Sequence, residues 1–326
     1  MIDFVITWVN GDDPIWRTKF DQYSELSNGD KREIRFRDWG LLRYWFRGVE
    51  AFTPWVRYVF FVTEGHIPDW LDTNAPKLKI VRHSDFIPKE NLPLFNSRAI
   101  EVNLHRIQGL SETFVYFNDD FFIIDKLKSS FFFKKGVPCD IAVLNAIDGG
   151  GVSDAIIEEL QILNRYYKKD NVIFKNIFKW FSYKYGFFVF RTLLLLPWPH
   201  FTGFYDPHLP TPFLKSTFYH VWGKAPKKLM KTSKSKFRTW GTVNPYIFRY
   251  WQLVNGDFIP MNPSKKASYI QLKDDNVGKV SRFIIKQKKS ILVLNDSEDI
   301  NNFDLYKFEL KKAFLKILPD KSSYEL

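Results

Sequence analysis

The sequence has almost no cysteine and no apolar run long enough to cross a membrane. Cys139 is the single cysteine in 326 residues, which excludes a disulfide framework and a zinc site built from several cysteines. The most apolar stretch, at 187–199, is interrupted by Arg191 and by prolines, well short of the roughly 20 residues that a spanning helix needs. The chain opens on a strand-like segment without a basic leader, so we expect a cytosolic protein.

Acidic residues are also scarce relative to basic ones. The 48 lysines and arginines exceed the 36 acids, and a net charge of +12 calls for an anionic partner: nucleic acid, anionic lipid or a phosphorylated substrate. Aromatic residues make up 18% of the chain, which excludes a disordered protein and predicts apolar surface beyond the needs of a core. The positive charge clusters beside apolar stretches and no RNA- or DNA-binding module is legible, so we expect no nucleic-acid partner.

Two adjacent aspartates follow a strand-like segment. The β-prone residues 113–117 lead into Asn118, Asp119 and Asp120. Neighbouring carboxylates repel each other, and their hard oxygens suit Mg²⁺ or Mn²⁺ at a strand end, where ligands of open α/β sheets collect. The alternative is a solvated turn, because Asn and Asp favour turns. The return to apolar residues at 121–124 favours the metal site and a metal-dependent phosphate chemistry.

The segment from Tyr166 to Phe201 alternates lysine and arginine with dense aromatic residues. This pattern is typical of a segment that lies in a membrane interface. The alternative is a buried helical insertion whose lysines extend their charged ends to water. A second basic run at 224–236 is interleaved with Ser and Thr, and we expect a mobile loop that could meet phosphates or lipid headgroups.

The periodicity of apolar residues alternates between strand and helix. It predicts strands at 4–9, 58–63, 78–82, 114–117 and 291–294. It also predicts helices at 97–110, at 303–318, and after Asp38 through Val49, with Asp38 as the cap. The β-α-β-β-α-β order indicates an α/β fold with a mostly parallel sheet flanked by helices. We find no internal repeat, no low-complexity tract and no clear linker between domains.

Four blocks of the sequence carry a family resemblance, and they lie in order at about 1–16, 32–125, 203–255 and 290–326. The first contains IDFVITWVNGDDP, and the second contains RFRD, LPLFNS and FNDD. The third runs from PHLP at 207–210 to Phe237 and Arg238, and the fourth begins with Asn295 and Asp296. Together they resemble the Stealth family of capsular-polysaccharide phosphotransferases, to which the animal GlcNAc-1-phosphotransferase also belongs.

The resemblance implies a fold and a reaction. It implies a Rossmann-like, GT-A-like catalytic domain over 1–326, in which the basic, aromatic-rich insertion at 127–202 contacts a membrane or the acceptor. The implied enzyme moves a hexose-1-phosphate, such as GlcNAc-1-phosphate or Gal-1-phosphate, from a UDP-sugar to a sugar hydroxyl of a capsular or exopolysaccharide repeat, forms a phosphodiester and releases UMP. The acceptor would be polyprenyl-linked, and the protein peripheral at the anionic inner face of the plasma membrane.

The resemblance also assigns roles to residues. Asp119 and Asp120 would hold Mg²⁺ or Mn²⁺, His208 would act as general base for the acceptor hydroxyl, and Arg238 would lie at the donor phosphates. Arginine forks suit phosphate oxygens, and the end of the first strand would receive the nucleotide. The donor-binding set comprises Thr7, Trp8, Val9, Asn10, Gly11, Arg35, Arg37, Asp38, Arg43 and Ser97.

Two matters stay open at the level of sequence. The chain has Trp39, Leu41, Trp45 and Arg98 where many relatives carry Asn, Glu, Ser and His, so the resemblance does not identify the donor sugar. A conventional GT-A glycosyltransferase with the same fold and metal would release UDP instead of UMP. The nucleotide product therefore distinguishes the two reactions.

Overall fold

A five-stranded sheet runs through the middle of the computed structural model, which describes residues 1–25, 27, 29–298 and 300–326. The strands are β1 (Ile2–Thr7), β2 (Val59–Thr63), β3 (Leu78–Arg82), β4 (Thr113–Phe117), β5 (Phe121–Ile123), β6 (Phe133–Lys134), β7 (Val137–Asp140), β8 (Thr211–Leu214), β9 (Ile259–Pro260), β10 (Ala267–Gln271) and β11 (Ile291–Asn295). The α-helices are α1 (Pro14–Ser24), α2 (Leu42–Phe52), α3 (His83–Phe86), α4 (Ser97–Glu101), α5 (Ser153–Tyr166), α6 (Lys169–Lys175), α7 (Ile177–Trp180), α8 (Val189–Leu195), α9 (Lys215–Lys224), α10 (Pro226–Lys234), α11 (Tyr246–Asn255), α12 (Val277–Ile285) and α13 (Phe303–Ile317).

The main sheet has the strand order β3-β2-β1-β4-β8, in which the first four strands are parallel and β8 is antiparallel to β4. Successive side chains of a strand point to opposite faces. Phe4 and Ile6 therefore belong to one buried cluster and Val5 to the other. Apolar side chains on both faces are typical of parallel sheets covered by helices. The predicted α/β fold with a mostly parallel, helix-flanked sheet is confirmed.

Two predicted features around the second and fourth helices are wrong in detail. The helix expected at 97–110 ends at Glu101 and is followed by a separate 3₁₀ turn at Leu104–Arg106. The Asn103 amide there donates to the Ala99 carbonyl, and such local side-chain bonds compete with helix continuation. Asp38 does not cap α2, because the N-cap is Leu41. The Asp38 carboxylate instead accepts a hydrogen bond from the backbone N–H of Gly40.

The expectation of a mobile loop at 224–236 is also wrong, because most of this segment forms α10. Leu229 is fully buried, and Thr232 and Ser233 lie beside it in the interior. The Ser233 hydroxyl accepts hydrogen bonds from the amides of Asn91 and Asn103. Small polar residues are thus buried through hydrogen bonds, which a pattern of hydrophobicity does not reveal.

Residues 127–202 pack against the same core as the main sheet. They form β6, β7 and α5–α8, and Trp180 and Tyr185 are fully buried in the cluster that contains Val5. Within the described part of the chain, no helix combines the length and the apolar character needed to cross a bilayer.

Between β1 and β4 the order in which strands are added to the sheet reverses. From β1 the chain moves outward through β2 to β3, and it then returns to add β4 on the other side of β1. Such switch points form crevices at the carboxyl ends of the strands in open α/β sheets. A second sheet, of order β10-β11-β5, meets this edge because β5 follows β4 directly and pairs with β11.

Candidate active site

A cleft with a volume of about 1500 Å³ opens at this edge of the main sheet. Most of the site residues expected from the sequence line it, from segments far apart in the chain. They are Thr7, Trp8, Val9, Arg35, Arg37, Asp38, Ser97, Asp119, Asp120, His208 and Arg238. The fold therefore gathers residues from separate sequence blocks in one concave surface, which is where substrates of α/β proteins bind.

Two expected donor-binding residues lie in the loop after β1 but outside the cleft lining. The backbone N–H of Asn10 donates to Nε2 of His66 at 2.9 Å, which fixes the start of the loop. A Cβ on Gly11 would lie 2.4 Å from the carbonyl oxygen of Phe36, so only glycine permits this close approach. These residues shape the wall of the cleft rather than line it.

Arg43, also expected at the donor, lies outside the cleft lining. Its Nε is 3.3 Å from Oε2 of Glu325, and its guanidinium stacks over the ring of Trp70. The buried Glu325 carboxylate also binds Arg47 through two hydrogen bonds of 2.8 Å. Arg43 is therefore oriented by Glu325 of the C-terminal segment and by Trp70.

The acid pair lies at the corner between the two sheets. One carboxylate oxygen of Asp120, Oδ1, is buried without a hydrogen-bond partner among the described residues. Burial, and then the charge of Asp119, raise the pKa of Asp120 well above its usual range. The Asp119 side chain is exposed to the cleft, yet the surrounding protein and the nearby Asp38 raise its pKa to about 6. Neither carboxyl group forms an ion pair with a residue that the structure describes, in keeping with these raised pKa values.

Asp296 is a further carboxylate beside this pair, and sequence reasoning did not select it. It follows β11 directly, as the acid pair follows β4, so the same signal of an acid at a strand end could have found it. Arg37 binds it through two hydrogen bonds, of 2.8 Å from Nε and 2.5 Å from the terminal nitrogen. Asp296 is thereby neutralised, and Arg37 is oriented by it.

The acid pair fits a hard divalent cation. No group of three or more His, Cys, Asp and Glu side chains suited to a metal occurs in the parts of the chain that the structure describes. Mg²⁺ needs only one or two carboxylates when water and substrate phosphates complete its coordination. An unpartnered buried oxygen on Asp120 and the uncompensated charge of Asp119 match that requirement. The metal assignment itself stays a prediction.

Arg238 supplies positive charge to the lining of the cleft. Its guanidinium donates to the Ser97 hydroxyl at 2.7 Å, but it forms no ion pair with any described residue. Burial and the neighbouring Arg35 lower its pKa to about 10, which still leaves it charged at neutral pH. Arg35 in turn contacts Asp30 at 2.9 Å. This half-buried guanidinium is suited to bind an anion.

A chain of hydrogen bonds links three residues of the cleft lining. The Tyr116 hydroxyl donates to Oε1 of Glu101 at 2.9 Å and lies 2.9 Å from the Thr7 hydroxyl. Burial raises the pKa of Glu101, although the Arg238 charge opposes this shift. Sequence reasoning missed Tyr116 and Glu101, because each occupies an ordinary position of a buried strand or helix and only their packing reveals the link.

His208 also lines the cleft, and its backbone conformation is constrained. Its φ of +48° is in the left-handed region, which non-glycine residues rarely adopt. Nδ1 lies 3.3 Å from the Tyr246 hydroxyl, and the edges of the Phe121 and Tyr269 rings surround the imidazole. Burial and then the charge of Arg238 lower the pKa of His208 below 6.5. The imidazole is therefore neutral at pH 7.

A buried charge network supports the segment that carries His208. Arg249 donates to both carboxylate oxygens of Asp140, at 2.8 and 2.9 Å, and to Asp206 at 2.5 Å. Tyr250 also donates to Asp206 at 2.5 Å. Breaking such a network leaves a charge buried without a partner, so it resists rearrangement. The imidazole position is thus set from α11, which carries Tyr246, Arg249 and Tyr250.

Arg98, at which many relatives carry histidine, lies on the cleft wall with its charge already matched. Its two terminal nitrogens contact the Asp154 carboxylate at 2.7 and 2.9 Å. The pair joins α4 to α5. Arg98 therefore stabilises the wall, whereas Arg238 remains available to a ligand.

Comparison with protein families and curated proteins gives concordant results. The family model described as Stealth protein CR1, conserved region 1, matches residues 2–27, and Stealth protein CR2, conserved region 2, matches residues 35–140. A capsular polysaccharide phosphotransferase, WcwK of Streptococcus pneumoniae, is 39% identical over 99% of this chain and 98% of its own length.

Two further relatives are similar in sequence over almost the whole chain. The exopolysaccharide phosphotransferase cps2G of Lactiplantibacillus plantarum is 37% identical, over 99% of this chain and 96% of its own. The receptor polysaccharide phosphotransferase WefC of Streptococcus oralis is 38% identical, over 100% of this chain and 99% of its own.

Among solved structures, the galactosyltransferase LgtC in complex with donor and acceptor sugar analogues matches with a TM-score of 0.42 and 10% identity, over 95% of both chains. A similarity at this level does not identify a reaction. Identity near 40% along the entire length, together with both conserved regions, does identify a family. The chain belongs to the Stealth family and is a phosphotransferase.

Proposed function

We propose that the protein transfers hexose-1-phosphate from a UDP-sugar to a hydroxyl of a capsular or exopolysaccharide repeat. One observation carries the proposal: the carboxyl groups of Asp119 and Asp120 and the guanidinium of Arg238 line the same cleft, and none of them has an ion-pair partner among the described residues. A diphosphate with its divalent cation presents both signs of charge and would satisfy them together. The relatives named as capsular and exopolysaccharide phosphotransferases support the substrate class.

The bond changes follow from this donor. The acceptor hydroxyl attacks the β-phosphorus of the UDP-sugar, the bond from that phosphorus to the bridging oxygen breaks, and UMP leaves. The hexose-1-phosphate is then joined to the acceptor as a phosphodiester. Negative charge grows on phosphate oxygens during the attack, and Arg238 and Arg35 would stabilise it. Mg²⁺ or Mn²⁺, held by Asp119 and Asp120, would supply positive charge at the diphosphate.

His208 would accept the proton of the acceptor hydroxyl. A base must be unprotonated, and burial keeps the pKa of this imidazole below its ordinary value. In that role Nδ1 carries the hydrogen and donates it to the Tyr246 oxygen, which leaves Nε2 free for the acceptor. Tyr246 would then be a positioning residue that selects the productive tautomer.

The acceptor and the location are part of the same proposal. A polyprenyl-linked acceptor would be held at the inner face of the plasma membrane, and the protein would associate there peripherally. Support comes from the basic and aromatic surface of residues 166–201, whose lysines and exposed rings suit an anionic membrane.

The experiment uses a UDP-sugar labelled with ³²P at the β-phosphate, with Mg²⁺ and lipid-linked oligosaccharide. Sugar-1-phosphate transfer moves the label into the product and releases unlabelled UMP. A conventional glycosyltransferase would leave the label in UDP, and that result would overturn the proposal. UDP-GlcNAc and UDP-Gal are tested side by side, because the donor sugar is open.

A further inference from the structure

Among the described residues, exposed apolar side chains are concentrated at 174–198, on α6–α8 and the segments that join and follow them. Of the five exposed phenylalanines among the described residues, four lie between 174 and 190. Phe178 is 91% exposed and Phe187 is 88% exposed, although large apolar side chains are usually covered. Exposed apolar patches of this kind mark contact with a partner or a membrane. We call the exposed side chains of Phe174, Ile177, Phe178, Tyr183, Phe187, Phe190, Leu193, Leu194 and Trp198 the aromatic surface.

The aromatic surface is held in place by the core. The hydroxyl of the buried Thr192 accepts a hydrogen bond from the Leu144 amide at 3.1 Å, which fixes one side of α8. The ammonium of the buried Lys169 donates to carbonyl oxygens at the end of α8, including that of Leu195 at 3.1 Å. The opposite side of α8 faces solvent, with Phe190 and Leu194 exposed.

Arg191 connects this surface with the candidate active site. It lies on α8 between Phe190 and Thr192, and it also lines the cleft that contains Asp120 and His208. Its guanidinium donates to the Asn145 side chain at 2.7 Å and stacks over the ring of Tyr205. The side chain is exposed and forms no ion pair with any residue that the structure describes. A cationic group thus stands where the cleft meets the apolar surface.

The segment of the chain that carries Arg191 contains basic residues but no acidic ones, and the acid Asp206 that follows it is already paired with Arg249. Residues 171–205 contain four lysines and arginines and no Asp or Glu. An acid on the cleft wall, Asp148, already accepts a hydrogen bond from the Gly150 amide. A ligand that fits this end of the cleft is therefore anionic where it meets Arg191 and apolar where it meets α8.

We infer that this end of the cleft binds the phosphate of a lipid-linked acceptor, with Arg191 on the phosphate and the aromatic surface on the apolar chain. The sugar of that acceptor would extend toward His208 through the continuous cleft. The inference rests on the proposed function, since it names the acceptor of that reaction. A bilayer of ordinary anionic lipids would use the lysines and rings, but it gives no role to a guanidinium that lines the cleft.

Cosedimentation with vesicles tests the inference without any turnover. Neutral phosphatidylcholine vesicles carry either a polyprenyl monophosphate or an equal charge of phosphatidylglycerol. The wild-type protein should bind the polyprenyl phosphate vesicles more tightly by about tenfold, because a charge-assisted hydrogen bond is worth that order of affinity. Arg191→Gln should lose this preference. Lys175→Gln removes an exposed charge of the same surface outside the cleft lining, and it should keep the preference.

Each other outcome has a definite meaning. Equal binding to both vesicle types would make the surface a general membrane contact and would overturn the inference. The inference also fails if the wild-type protein ignores both, or if Arg191→Gln retains the preference. Phe187→Ser combined with Leu194→Ser should weaken binding to both types, and unchanged melting temperatures exclude misfolding. Failure of UMP release in the labelled-donor assay would overturn the proposed function, whereas failure here would overturn only the acceptor site.

Discussion

Asp120 is the residue with the clearest functional signature, because the fold buries one of its oxygens and gives it no partner among the described residues. Asp120→Asn keeps the size of the side chain and removes the charge that would attract a cation. We expect turnover to fall by at least about a hundredfold, as is typical when an electrostatic stabiliser is removed. Thermal unfolding should give an equal or higher melting temperature, because an unpartnered buried carboxylate is costly.

The same variant separates metal binding from general damage. Mg²⁺ should raise the melting temperature of the wild-type protein, because ligands that bind only the folded state stabilise it, but not that of Asp120→Asn. Asp21→Asn is a matched control, since its carboxylate is 61% exposed and pairs at the surface with Arg17. Near-normal turnover of Asp120→Asn at saturating Mg²⁺ would rule out Asp120 as the main ligand.

His208 makes a prediction about pH. Burial, and then the charge of Arg238, hold its pKa below 6.5, and the neutral form is the base. The kcat should therefore be level at alkaline pH and fall as the pH decreases through a pKa lower than that of an ordinary histidine. The measurement is a kcat–pH profile at saturating Mg²⁺, where bound metal suppresses titration of the acid pair.

Two variants test whether His208 causes the fall of kcat at low pH, which we call the acidic limb. His208→Gln should lower kcat by about 10² to 10⁴ and remove the limb. Arg238→Gln should move the limb to higher pH in whatever activity remains, because a positive charge near the imidazole has been lost. A limb that persists unchanged in His208→Gln would show that another group accepts the proton.

At the scale of elements, α2 and β5 approach so closely that one position admits only glycine. A Cβ on Gly48 would lie 2.3 Å from the carbonyl oxygen of Ile123, so Gly48→Ala must push the helix away from the strand. We expect the free energy of unfolding to fall by about 1–3 kcal/mol, as for overpacked cores. Denaturant unfolding measures it.

Gly223→Ala is the control for that change. Gly223 also lies in a helix, α9, but a Cβ there would meet nothing within 4 Å. Since alanine favours helix over glycine by about 1 kcal/mol, Gly223→Ala should be neutral or stabilising. If both variants shift the free energy of unfolding alike, helix propensity rather than the close approach governs Gly48. The acid pair directly precedes β5, so Gly48→Ala should also lower turnover.

At the scale of the whole molecule, the net charge of +12 and its concentration near the aromatic surface predict association with anionic membranes. The protein should cosediment with anionic vesicles, bind neutral ones weakly and detach partly in high salt, because exposed charges are screened. Replacing Lys175, Lys179 and Lys184 with Glu should weaken binding, each charge near the surface contributing about 1 kcal/mol.

A second triple variant controls for net charge. Replacing Lys273, Lys279 and Lys286, which are exposed, with Glu changes the charge by the same amount on another part of the molecule. It should bind anionic vesicles more tightly than the first variant does. Equal losses in both would mean that overall charge, and not the aromatic surface, drives the association.

The sequence by itself determined the sheet and the position of the acid pair. Apolar residues of strand and helix periodicity recur in β-α-β order, and this order fixes a parallel arrangement whose carboxyl ends carry the acids. Asp119 and Asp120 could be selected because the signal is local: a buried strand, two carboxylates, and a return to apolar residues. The net charge and the aromatic content of the sequence likewise predicted a basic and apolar surface.

Only the tertiary structure decided which charges remain free for a ligand. Arg37 and Arg43 look alike in sequence, yet Arg37 is matched by Asp296, 259 positions away, and Arg43 by Glu325. Arg238 has no such carboxylate partner among the described residues. Likewise, the basic run at 224–236 predicted a mobile loop, where buried hydrogen bonds to distant asparagines instead support a helix. Pairing of this kind depends on the path of the whole chain, and a pattern of neighbouring residues does not contain it.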